Sequence, residues 1–227
     1  MEEQSIKVGR SDPQPPRSSS ARLQGKNLGG SSKEEILARL RKNTRETYDM
    51  PDLTVLKPTT FADPVAEFIT KTTTTAGAKL IEMKPGDDLN DLVRQAYPDA
   101  KVIASNLPGV KADINPDTAA EAQELMAVDV GVIEGRIGVA ENACIWIPQQ
   151  MKEKSICFAS QQLVIVLSRD SIVSNMHEAY ARIEASAEYF RQYKFGTFIS
   201  GPSKTADIES ALVYGAQAAR GVTVVLK

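Results

Sequence analysis

The five residues Leu163-Val164-Ile165-Val166-Leu167 are apolar without interruption. The run is far too short to cross a bilayer, which takes about 20 apolar residues. It also lacks the alternation of a strand with one wet face. Such a run reads as a strand covered on both faces, the pattern of a parallel sheet held between two layers. Further strand-like segments occur at 79–83, 101–105, 127–133, 137–147, 195–200 and 222–226. Helical patterns follow Asp63-Pro64 and Asp87-Asp88, and occupy 174–192 and 205–219. Strands alternating with helices predict an α/β fold, an open and mostly parallel sheet with helices on both faces. The tight strand, helix, strand series over 79–105 predicts a parallel crossover.

Residues 1–31 hold Ser, Gly, Pro, Arg and Lys and almost no large apolar side chain, so they read as a disordered tail. Order is expected from Ser32, where Ser32-Lys33-Glu34-Glu35 has the form of a capping box. Residues 32–227 then make one domain, of a length that supports a single buried core. The amino terminus is acidic, with no apolar stretch behind it, and does not read as a secretory signal.

Charge and metal-binding residues narrow the function classes. The 27 basic and 29 acidic side chains leave a net charge of −2, which gives no global attraction to nucleic acid. With two cysteines, Cys144 and Cys157, and one histidine, His177, the chain lacks ligands for iron–sulfur clusters, haem or structural zinc. Both cysteines lie in apolar surroundings and read as buried thiols. His177 reads as a surface residue of a helix and Trp146 as core.

Two segments could carry chemistry. The first is Ser200-Gly201-Pro202-Ser203-Lys204-Thr205-Ala206-Asp207-Ile208-Glu209. It falls between an expected strand and an expected helix, the position where open α/β sheets bind ligands. Helix N–H groups, Ser203, Thr205 and the Lys204 ammonium would favour an anion there. The same residues are also compatible with a plain turn in which Thr205 caps the helix, and local chemistry leaves both readings open. The second segment runs from Gly131 to Cys144, where Glu141-Asn142 interrupts an otherwise apolar stretch. A carboxylate there is either desolvated and able to act as acid, base or nucleophile, or is simply a hydrated strand end.

Together these segments resemble the LUD-domain family, of the lactate utilization protein C type. Typical members carry Asp-x-Gly-Val, then Gly-Ile-Ala-Glu-Thr-Gly-Thr, then Ser-Gly-Pro-Ser-x-Thr-Ala-Asp-Ile-Glu. Asp129-Val130-Gly131-Val132 matches the first, Gly138-Val139-Ala140-Glu141 part of the second, and Ser200 to Glu209 the last throughout. The chain departs from the family at Asn142-Ala143-Cys144, in place of Thr-Gly-Thr. It departs again at Gly215-Ala216-Gln217-Ala218-Ala219, in place of Gly-Ala-His-Gly-Pro. It therefore resembles a divergent member.

The resemblance implies a fold similar to that of sugar-phosphate isomerases and CoA transferases. It implies a cytoplasmic subunit of a multi-protein system that oxidises L-lactate to pyruvate, with iron–sulfur clusters on partner chains and no cofactor on this one. The expected site joins Glu141, as catalytic group, to Asp129, Gly138, Asn142, Gly201, Ser203, Lys204, Thr205 and Asp207 as ligand-binding residues, holding a small carboxylate or phosphorylated ligand. Glu141-Asn142 is also similar to the Glu-Asn-Gly element of CoA transferases, which implies acyl transfer with Glu141 as nucleophile. A ligand sensor without catalysis is a further alternative.

Overall fold

The computed structural model describes residues 32–44, 46, 48–52, 55–186, 195–208 and 211–227. The expected tail at 1–31, and the end of the helix expected to reach Gln192, lie outside the described residues. By contacts the chain divides into two compact units, residues 1–53 and 54–227. In the first, helix α1 (Ser32–Asn43) buries none of its residues, and Arg39 pairs with Glu35 one turn away.

The second unit runs, in chain order, α2 (Pro64–Thr74), β1 (Lys79–Glu82), α3 (Leu89–Ala96), β2 (Ile103–Ala104), β3 (Val130–Glu134), β4 (Ile137–Val139), β5 (Cys144–Pro148), α4 (Ile156–Ala159), β6 (Gln162–Leu167), β7 (Ile172–Val173), α5 (Met176–Ala185), β8 (Gly196–Ile199), β9 (Lys204–Ile208), β10 (Ala211–Tyr214) and β11 (Gly221–Leu226). Helix starts follow the sequence signals. The Asp63 carboxylate accepts the Ala66 N–H ahead of Pro64, Asp88 does the same for Asn90, and Asn175 for Glu178.

Five parallel strands form the central sheet, in the order β1-β11-β6-β3-β2. The uninterrupted apolar run of β6 finds both faces covered, as expected. Leu163, Ile165 and Leu167 join one cluster with Phe68 of α2 and Ile156 of α4. Val164 and Val166 join another, in which Val93 of α3 packs with Val130 and Val132. Helices thus cover both faces, and the α/β, mostly parallel architecture holds.

β1 and β2 are parallel in one sheet, as the strand, helix, strand series predicts, and stand at its opposite edges, so the chain between them, α3 included, crosses the whole sheet. Two expectations are corrected. The stretch 137–147 is a hairpin, β4 and β5, in a second sheet ordered β7-β4-β5-β8. That sheet contributes Ile145 and Ile147 to the first core cluster and so packs on the same side as α2 and α4.

The second correction bears on function. Among the described residues of 205–219 there is no helix. They contain the antiparallel pair β9–β10, followed by a loop back to β11. The expected helix N-terminus at Thr205, with its dipole and unpaired N–H groups, does not exist. Within the described residues α5 spans Met176–Ala185, and its C-cap Ser186 returns an N–H to Ile183.

Candidate functional site

The turn that joins β4 to β5 holds Glu141, Asn142 and Ala143. Ala143 has φ 54°, the one positive φ outside glycine among the described residues. The Asn142 side-chain oxygen accepts the Cys144 N–H at 3.1 Å and closes the turn. Glu141 is half-buried and its side chain is committed: Oε1 accepts the Met176 N–H at 3.0 Å, at the first turn of α5. A carboxylate there complements the positive end of the helix. The Glu141 backbone is held from both sides, its N–H donating to the Ser174 oxygen and its oxygen accepting from Lys71 Nζ at 3.0 Å.

The segment from Ser200 to Lys204 lies beside this turn. Ser200 Oγ donates to the Asn142 oxygen at 2.9 Å. Gly201 has φ +68°, and a Cβ there would stand 2.1 Å from the Ala76 oxygen, so only glycine fits. Lys204 Nζ donates to the same Ala76 oxygen, just beyond the carboxyl end of α2. α2 therefore ties down both pieces, the turn through Lys71 and the loop through Lys204, and Ser200 ties the pieces to each other.

The loop walls a cavity of about 410 Å³, lined by Ser200 to Lys204, by Phe198 and Ile199, by Cys157 and Phe158 of α4, and by Gln217 to Ala219. Backbone bonds shape its rim: Ser203 donates to Ala219 at 3.0 Å and Gly215 donates to Ser203 at 2.9 Å. Leu163 and Val222, early in β6 and β11, form its floor. The cavity thus opens near the amino ends of the parallel strands, not at the carboxyl edge where the sequence placed it. The carboxyl edge carries ion pairs instead. Glu134 meets Arg136 at 3.3 Å and Lys227 at 3.2 Å, and Arg169 meets Glu82.

The expected site residues therefore separate. Gly201, Ser203 and Lys204 line the cavity. Asn142 touches it only through Ser200, and Glu141 faces α5. Thr205 and Asp207 lie in β9, where Asp207 donates its backbone N–H to Thr205 Oγ1, and neither is among the lining residues.

Gly138 is a packing residue. A Cβ there would meet Leu167, Ile172 and Phe68, at 2.8, 3.1 and 3.2 Å. Asp129 is not part of the site. Its carboxylate accepts the N–H groups of Val102 and Lys101 at 2.9 and 2.8 Å, and those bonds hold its pKa below the ordinary carboxylate value. It anchors the strand entering β2 beside β3.

Sequence reasoning missed Cys157 and Phe158 as lining residues, and it noted Gln217 only as a departure. Nothing local to α4 signals a cavity. The signal at Gln217 was its place in the loop that follows the Ser200–Glu209 motif. The cysteines are buried thiols, as expected. Burial pushes both up to about 12, Cys144 against an opposing hydrogen bond from Asn142. Among the described residues no group of acidic, histidine or cysteine side chains could hold a metal ion, and no helix is long and apolar enough to cross a membrane.

Comparison with known proteins places this geometry. Over residues 111–226, about half of the chain, the sequence matches the family model described as LUD domain. The matched stretch includes the Glu141 turn, α4 and the whole Ser200–Ala219 excursion. Lactate utilization protein C of Shouchella clausii (strain KSM-K16) is 28% identical over 109 residues, 48% of this chain and 48% of that one. The chain thus spans about half the length of this curated relative. A crystal structure of a DUF162 family protein from Deinococcus radiodurans superposes with a TM-score of 0.56 at 15% identity, covering 74% of this chain and 99% of the other. That likeness is one of fold. The low identities fit a divergent sequence, and the chain belongs to the LUD domain family.

Proposed function

We propose that this chain is a cytoplasmic subunit of a multi-protein system that oxidises L-lactate to pyruvate, and that it holds a small anionic ligand in the cavity walled by Ser200–Lys204. The system-level reading is supported by membership of the LUD domain family and by similarity to a lactate utilization protein C. The electron-transfer centres of such a system belong, in this reading, to iron–sulfur partner chains.

The observation that carries the ligand reading is the placement of Lys204. An ammonium has three donors. Lys204, which lines the cavity, gives one to the Ala76 oxygen, which fixes its position and leaves donors to meet a carboxylate or phosphate. Ser203 and Gln217 supply neutral polar groups on the same wall. This is charge recognition by a pinned lysine, not by a helix end.

Acyl transfer through Glu141 has no comparable support. One oxygen of that carboxylate already receives the Met176 N–H, and Glu141 is not among the residues that line the cavity.

Calorimetric titration of pyruvate, L-lactate and a sugar phosphate tests the reading, first on the chain alone and then with candidate iron–sulfur subunits. Binding of pyruvate or lactate is expected, weakened about tenfold by Lys204→Met. Lactate oxidation is expected only with the partner subunits present. No binding of any of these anions overturns the ligand reading. Binding without turnover in the assembled system favours a sensor.

A further inference from the structure

The cavity beside Lys204 does not stand alone. A second chamber of about 370 Å³ adjoins it, and Phe158, Gln217 and Ala218 line both. Pockets of roughly 300–1,000 Å³ hold drug-sized ligands, so an acid of lactate's size fills little of either chamber. The two also differ in chemistry. The first has a basic residue, Lys204, in its lining. The second, among the described residues, carries no charged side chain. Met126, Phe158, Ala159 and Ala216 line it beside the neutral polar groups of Ser155 and Gln161. Met126 is 68% exposed and Phe158 38%, so both offer apolar surface to whatever enters.

One end cationic and the other neutral and largely apolar is the complement of an amphipathic anion. Resting on the anion reading above, we infer that the site takes an elongated α-keto or α-hydroxy acid, with its acid group at Ser203–Lys204 and its hydrocarbon chain running past Phe158 towards Met126. Phe158 is the shared wall over which the chain must pass. Gln217, opposite in sequence terms but adjacent in space to Ser203 through its backbone N–H at 3.4 Å, marks the same junction. Lactate and pyruvate would then be the shortest members of the accepted class.

The test is a titration series on the full chain with pyruvate, α-ketobutyrate, α-ketohexanoate and α-ketooctanoate. Full burial of a methylene is worth about fourfold in affinity, and a partly open trough should deliver about twofold per methylene. Met126→Asp, a change at an exposed position, should collapse the ratio of α-ketooctanoate to pyruvate affinity, and Lys204→Met should weaken every member of the series. Equal affinity along the series overturns the elongated ligand and leaves the anion reading standing. A length dependence that Met126→Asp does not alter overturns the assigned path of the chain. Failure of all four acids to bind overturns both readings together.

Discussion

Ser200 and Asn142 are 58 positions apart in sequence, and the hydroxyl of one donates to the backbone oxygen of the other at 2.9 Å. This bond joins the β4–β5 turn to the loop that leaves β8. Its loss in Ser200→Ala should cost about 1 kcal/mol or less in unfolding free energy, because the site is exposed and water can replace the donor. The larger effect should fall on ligand affinity, through a loosened cavity wall. Chemical denaturation and pyruvate titration on the same variant check both.

Ala143 occupies a left-handed conformation at φ 54°. A side chain pays for that conformation and glycine does not. Ala143→Gly relieves that strain but frees the unfolded chain and removes a buried methyl, so stability should change by less than about 1 kcal/mol. A thermal midpoint close to that of the parent chain is the expected reading. Ala143→Val should lower it.

Gly201 lies in the same region of backbone space, but with no room for a side chain. Its Cβ would press on the Ala76 oxygen that also receives the Lys204 ammonium. Gly201→Ala should cost about 2 kcal/mol, displace Lys204 and weaken anion binding. Thermal unfolding and titration together report on it, and retained affinity in the folded variant would argue that Lys204 does not hold the anion.

Glu141 acts on α5 through one carboxylate oxygen. Glu141→Gln keeps an acceptor and gives up the charge, for a loss of about 0.3–1 kcal/mol. Glu141→Ala loses the acceptor as well and should cost about 1–2 kcal/mol. If turnover in the assembled system tracks these stabilities, the carboxylate is a structural cap. A large loss of turnover in the stably folded Gln variant would restore a chemical role.

The two thiols set an alkaline limit. Burial raises both from an ordinary value of 9.0 to about 12. Below pH 9 the thiols are protonated in folded and unfolded chains alike, and they contribute no pH dependence. Between pH 9 and 12 only the unfolded chain releases these protons, so stability should fall as pH rises, by about 1.4 kcal/mol per unit for each thiol. Denaturation midpoints across that range, compared with a Cys144→Ala, Cys157→Ala double variant, measure the slope. Alkylation of the folded protein near neutral pH should be slow for the same reason.

The central sheet was readable because its pattern has one explanation. The run at β6 cannot satisfy a half-wet strand, and the structure covers it on both sides. The C-terminal excursion was not readable from periodicity. Ile208, Leu212 and Ala216 recur at helical spacing, yet Val213 and Tyr214 are residues that suit a pleated surface, and short apolar stretches fit either period. Pairing between Lys204 and Tyr214 decides the matter, and it is a contact that no local window contains. Asp129 was misplaced for a related reason. An acidic residue beside a strand looks the same whether it faces a ligand or two backbone N–H groups, and here it faces Lys101 and Val102. Lys204 lines the cavity without the expected helix, and its anchor is the Ala76 oxygen, 128 positions away.

The excursion that contains β9 and β10 leaves the body of the protein at Ser203 and returns to it at Ala219, where the two residues are joined by a backbone hydrogen bond. Chain that departs and comes back through one clasp puts little geometric demand on its own length. Chain inserted between positions 208 and 211 would leave Ser203, Lys204 and Gln217 where they stand. The hairpin is thus a convenient handle for attaching a reporter without touching the central sheet.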